Sequence, residues 1–145
     1  MQAVVIYVET SALLRVLLCE SEYEALASTI ESAPRCVTSA LTFVEAYRAL
    51  RRLSADQHIS EAVSLDLAAL IEQCRTAWDV MEITREVQDR AGRSFPVEPI
   101  RALDAIHLAT ALEFVRSGVA PQVLSCDVRV TDNVHPLGLQ LAEEF

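Results

Sequence analysis

The run Val4-Val5-Ile6-Tyr7-Val8 sets five apolar or aromatic residues in succession and then ends on a carboxylate, Glu9. A strand with one wet face alternates apolar with polar residues, so an unbroken run of this kind is buried on both faces. Burial on both faces requires a layer of helices on each side of a sheet, and from Ser11 onward the pattern turns helical. Glu9 therefore stands where a buried strand gives way to a helix, the junction at which open α/β sheets keep their ligand sites.

The rest of the chain repeats the alternation. The first strand is expected over Ala3 to Val8, with helical segments through Leu17 and from Glu22 to Ile30, a break at Pro34 and a second strand from Arg35 to Thr38. Helices are expected from Thr42 to Leu53 and from Asp56 to Arg75, then a strand from Trp78 to Ile83 and a short helix from Thr84 to Arg93. The segment SFPVEPIRA, with Pro96 and Pro99, reads as a loop. Asp104 near the start and Gly118 past the end punctuate the next helix, and Val123 to Ser125 and Leu139 to Leu141 are the last strand candidates. This order predicts a three-layer α/β/α fold around a central, mostly parallel sheet of four to five strands. At 145 residues, with no repeat or linker, the expectation is a single domain over residues 1–145.

Composition narrows the chemistry. All twelve basic residues are arginine, which excludes a lysine-bearing phosphate loop, Schiff-base chemistry and a receiver domain that keeps a lysine at its site. The four cysteines are too dispersed for a zinc site or a redox dithiol and read as buried thiols in a reducing compartment. No apolar run reaches membrane-spanning length and no signal peptide is evident, so the expectation is a cytoplasmic protein without a membrane partner. The 52% apolar content leaves hydrophobic surface for a partner or a second copy, and a homodimer is expected. A formal charge of −9 argues against a nonspecific nucleic-acid coat, yet carboxylates that bind metal are themselves counted in that total.

Four acids fall at strand ends or in the first turns of following helices: Glu9, Glu45, Asp104 and Asp127, with Asp132 a rival for the last place. Each has a structural role open to it. Thr42 and Glu45 have capping-box spacing, Arg48 is placed to pair with Glu45, Asp104 is placed to cap its helix, and Asp127 to order a turn. Glu9 is harder to account for this way, because a carboxylate at the end of a buried strand carries a desolvation cost unless something pairs with it. Converging acids repel, and a hard divalent cation with oxygen ligands resolves the repulsion. His107, one turn beyond Asp104 on an apolar helix, reads as a packed histidine. Arg48, Arg51 and Arg52 follow Glu45 and offer a place for phosphate, against the alternative of a solvated face.

The stretches YVETSALLRVL, SALTFVEAYRAL, LDAIHLATAL (residues 103 to 112) and LSCDVRV, in this order over nearly the whole chain, resemble the PIN-domain family, in particular the VapC-type toxins of toxin–antitoxin pairs. The resemblance implies an α/β/α domain that uses acids to bind Mg²⁺ or Mn²⁺ and cut RNA, leaving a 5′-phosphate and a 3′-hydroxyl. Carried over by position, it implies catalytic roles for Glu9, Glu45, Asp104 and Asp127, with Glu9, Asp104 and Asp127 holding the metal. Thr10 and Ser11 match the family's hydroxyl pair and would contact a metal-bound water or a phosphate, with Arg48 expected beside them at the substrate from its place after Glu45. A cognate antitoxin would cover the site, a basic segment of it suiting the acidic toxin. Where the family has aspartate first, this chain has Glu9, about 1.5 Å longer in reach. That departure motivates a second expectation: a PIN scaffold, catalytically weak or inactive, that binds RNA or an antitoxin without cutting.

Overall fold

In the computed structural model, which describes residues 3–142, five strands form one sheet in the order β3-β2-β1-β4-β5, every neighbouring pair parallel. The strands are β1 (Val5–Val8), β2 (Arg35–Ser39), β3 (Asp79–Met81), β4 (Gln122–Leu124) and β5 (Gln140–Leu141). The helices are α1 (Thr10–Leu17), α2 (Tyr23–Ser32), α3 (Ala40–Ala55), α4 (Glu61–Ala77), α5 (Arg85–Ala91), α6 (Ala102–Arg116) and α7 (Val128–Val134).

The period-two pleat of β1 sorts its side chains between two cores. Ile6 and Val8 pack with Leu13, Leu26, Phe43, Leu50 and Ile71 beneath α1 to α4, while Tyr7 packs with Leu108, Phe114, Val130 and Val134 beneath α6 and α7. Each fully buried side chain of this kind contributes about 1.5–3 kcal/mol of apolar burial, which is why a run without polar residues is needed in the central strand. The strand sequence leaves β1 in opposite directions on its two sides, towards β2 and β3 on one and β4 and β5 on the other. The carboxyl ends of β1 and β4 therefore flank the topological switch point, where the diverging connections open a crevice.

Several boundaries differ from the sequence expectations for local reasons. Helix α3 starts at Ala40, because Ser39 caps it by accepting the Leu41 N–H at 3.1 Å. Thr42 is then not a cap: its hydroxyl pairs at 2.7 Å with that of Thr38, both buried, and Glu45 falls in the second turn, free of any capping role. Helix α4 starts at Glu61 rather than Asp56, since Gln57 adopts a positive φ and Ser60 caps by accepting from Val63. The short helix α7 was not anticipated; Asp127 starts it by accepting the Arg129 N–H at 2.9 Å. Gly118, at φ 94°, closes α6 where other residues would be strained. The expectation of four buried thiols is corrected: Cys36 is buried and Cys74 and Cys126 half-buried, but Cys19 is exposed, in the left-handed turn that ends α1. Among the described residues no helix is long and apolar enough to cross a membrane.

Candidate active site

The crevice at the switch point is a cavity of about 620 Å³ lined by Glu9, Thr10, Ser11, Glu45, Arg48, Arg52, Arg101, Asp104 and Asp127 among others. All four acids singled out in the sequence reach it. Asp132 does not; it lies exposed on α7. A cleft of similar size, about 590 Å³, lies between α5 and α6, but there Glu113 is paired with Arg116 at 2.8 Å, and Asp89 with Arg85 at 2.8 Å. The first cavity alone of the two gathers the carboxyl-end acids of β1 and β4 with Arg48 and Arg52, which make no ion pair among the described residues.

Three of the acids stand at helix N-termini, where orphan N–H groups favour negative charge. Glu9 caps α1 and is buried, with 5% of its surface exposed. Its Oε2 accepts the Ser11 N–H at 3.0 Å, and its Oε1 accepts the hydroxyls of Ser11 and Ser125, each at 2.5 Å. Those hydroxyls are fixed in turn: Ser11 Oγ accepts from the Cys126 N–H at 2.8 Å, and Ser125 Oγ from the Asp127 N–H at 3.1 Å. Glu9 is thus tied through Oε2 to the start of α1 and through Oε1 to the turn after β4.

Asp104 is also buried, and Oδ2 accepts the Arg101 N–H in a long contact of 3.4 Å. The Arg101 guanidinium lies 3.6 Å from Asp104 Oδ2 and 3.9 Å from Asp127 Oδ2, bridging the two acids from the solvent side. The loop that delivers Arg101 is held by the buried Asn133, whose amide accepts from the Val97 N–H at 2.8 Å and donates to its carbonyl at 3.0 Å. Asp127 commits Oδ1 to capping α7. The structural roles foreseen for Asp104 and Asp127 are therefore real, and each leaves the second oxygen of the carboxylate over.

Glu45 is held differently. Its Oε1 accepts the Thr10 hydroxyl at 2.6 Å and Nε2 of His107, also at 2.6 Å. Burial alone would push its carboxyl up, but the His107 hydrogen bond and charge, the Thr10 hydroxyl and the charge of Arg101 outweigh it and hold the group below the ordinary value. Arg48 makes no ion pair with Glu45 among the described residues; it is exposed on the cavity wall, one turn before Arg52. His107 is buried as expected, yet it is not passive packing, because its other nitrogen, Nδ1, meets the Tyr7 hydroxyl at 2.9 Å. Burial and the Glu9 carboxylate raise the Tyr7 phenol well above its ordinary range, so it remains a donor. Sequence reasoning missed this link, and did not foresee the contacts that Ser125 and Arg101 make here. The available signal was spacing: His107 and Arg101 each lie three residues from Asp104, and Ser125 two from Asp127.

The donor set is entirely oxygen, which suits a hard divalent cation. Among the described residues no donor comes within hydrogen-bond distance of Glu45 Oε2, Asp104 Oδ1 or Asp127 Oδ2, and of the three only Asp127 Oδ2 is in an ion pair, with Arg101 at 3.9 Å. Among the same residues, no three His, Cys, Asp or Glu side chains are already gathered as a coordination group.

An all-parallel α/β sheet with acids converging at its switch point defines a class of acidic-site α/β domain. The PIN domain model matches residues 6–129. Ribonuclease VapC35 of Mycobacterium tuberculosis is 37% identical over 138 residues, covering 92% of this chain and 93% of its own length. Ribonuclease VapC46 of the same organism is 34% identical over 135 residues, with 92% and 93% covered. A solved toxin–antitoxin complex from Klebsiella pneumoniae contains a chain of the same fold, with a TM-score of 0.64 at 15% identity over 97% of this chain and 99% of that one. The chain belongs to the PIN-domain family, within its VapC-type toxins.

Proposed function

We propose that the protein is a metal-dependent endoribonuclease, the toxin of a type II toxin–antitoxin pair, acting in the cytoplasm on RNA with Mg²⁺ or Mn²⁺. The observation that carries this reading is the convergence of Glu9, Glu45, Asp104 and Asp127 on one cavity in a chain whose relatives are named ribonucleases. Glu9, Asp104 and Asp127 would hold the cation, with Glu45 binding it or orienting the attacking water. A bound cation supplies charge neutralisation among the acids and lowers the pKa of water. Arg48 and Arg52, exposed on the wall without acid partners among the described residues, are placed to take RNA phosphates, and Thr10 and Ser11 to fix the acids beside them. The exposed Val44 and Leu103 on the cavity lining, with Val128 beside Asp127, offer apolar contact to an antitoxin segment. The outward residues Leu65 and Leu70 of α4 are available to a second copy in a homodimer.

The test is cleavage of structured RNA by purified protein. Cutting is expected with Mn²⁺ or Mg²⁺, to stop in EDTA, and to fall by on the order of a hundredfold or more in Asp104→Asn. Failure to cut any RNA class with either cation would defeat the proposal. A second reading, the non-cleaving scaffold, draws support from Glu9, whose two oxygens are already taken by protein donors. Cleavage gained only in Glu9→Asp would favour it.

A further inference from the structure

A polar chain crosses the interior from the core under α6 to the cavity. It runs from the Tyr7 hydroxyl to Nδ1 of His107 at 2.9 Å, and from Nε2 of His107 to Glu45 Oε1 at 2.6 Å and Thr10 Oγ1 at 3.1 Å. Tyr7 is 1% exposed and His107 2%, so neither ring has water to fall back on. The partners fix the ring's proton. A carboxylate only accepts, so Nε2 carries hydrogen toward Glu45; in the neutral ring Nδ1 then accepts from Tyr7. The rings of Tyr7 and His107 meet edge to face with centroids 6.0 Å apart, which limits rotation of the imidazole.

From this geometry we infer that His107 is a positioning residue: anchored by Tyr7, it pins Glu45 Oε1 and turns the donor-free Oε2 into the oxygen that Glu45 offers to the site. The consequence for catalysis rests on the ribonuclease reading; the geometry does not. Two features distinguish this role from simple packing. The ring exchanges polar contacts with β1, α1 and α3 at once, and it lies 3.9 Å from Glu9 Oε2, so one side chain relates two of the four acids to each other. A ligand held by such a supporting hydrogen bond typically loses about 10–100-fold in metal affinity when the support is removed.

The experiment measures Mn²⁺ binding by calorimetry for the full chain and its His107→Ala, His107→Gln and Tyr7→Phe variants, with nitrogen-15 spectra of the three histidines. Mn²⁺ affinity is expected to fall about tenfold in His107→Ala and to return to within about threefold of the parent in His107→Gln, whose amide keeps a donor near the Nε2 position. The parent spectrum should show one buried histidine protonated at Nε2, and Tyr7→Phe, which removes one hydroxyl, should shift its Nδ1 signal. Unchanged affinity in a folded His107→Ala variant overturns the inference, as does a glutamine variant as weak as alanine. A ring protonated at Nδ1 alone also overturns it. If the parent binds Mn²⁺ as described but cuts no RNA, the ribonuclease reading fails and the positioning role stands. If the parent binds no Mn²⁺, the tautomer and its response to Tyr7→Phe decide the matter.

Discussion

Glu9 and Glu45 are both glutamates on one cavity, and the fold uses them in opposite ways. Glu9 caps α1 and receives three donors from α1 and the turn after β4, so its carboxylate is part of the joint between two strand ends. Glu45 sits in the second turn of α3, caps nothing, and is steered through a single oxygen by Thr10 and His107. Position explains the difference: Glu9 is the N-cap of α1, whereas Glu45 lies within α3. A glutamate at an N-cap can curl back over its own helix and still reach Ser125 across the sheet. The contrast teaches that convergence on a site does not make acids equivalent: one is held at both oxygens by protein donors, the other at a single oxygen.

The sharpest way to break the comparison is to remove each carboxylate and read activity and stability separately. Glu45→Gln should lower RNA cleavage by on the order of a hundredfold or more while changing the urea midpoint little, because no helix cap or strand joint depends on it. Glu9→Ala should do more damage to the fold. It removes an N-cap, about 1 kcal/mol, and strips the Ser11 and Ser125 hydroxyls of their shared acceptor, for a total near 2–3 kcal/mol. Thermal unfolding should then show Tm lower by roughly 5–10 °C. Equal stability losses in the two variants would erase the distinction.

Part of this was legible in the sequence. The β1 run, the alternation of strands and helices, and the four acids at strand ends are written in local pattern, and all four acids do line the cavity. What was not legible depends on contacts between residues far apart in the chain. Ser125 and Glu9 are 116 residues apart, and Tyr7 and His107 are 100 apart; no periodicity announces either pair. Helix α7 is not legible in the sequence because its seven residues are too few for an apolar period to show. The start of α3 was misread for a related reason. Thr42 fits a capping box by spacing, but the hydroxyl of Ser39 is nearer the point where β2 ends.

The Glu9 joint can be probed more gently through its buried donor from the turn after β4. Ser125→Ala removes one of the two hydroxyls on Glu9 Oε1 and leaves the Ser11 pair intact. The expected cost is about 1 kcal/mol in urea unfolding, less than half that of Glu9→Ala. A loss as large as that of Glu9→Ala would mean that the cap and the Ser11 bond contribute nothing.

The smallest effect concerns acid. The Glu45 carboxyl is held below its ordinary value by His107, Thr10 and Arg101, against the upward push of burial. A carboxyl depressed in the folded state binds its proton more readily when unfolded, so it stabilises the fold in full above the ordinary value of 4.5. That contribution drains away as the pH falls through the lower folded-state value. Glu45→Gln carries no titrating group there, so the stability gap between parent and variant should be widest near neutral pH and shrink below pH 4.5, by less than about 1 kcal/mol. Urea unfolding of the pair at neutral and acid pH measures it. A gap that widens on acidification would show that burial, rather than the Thr10 and His107 bonds, governs Glu45, and would place it with Glu9 as a carboxylate held chiefly by the fold.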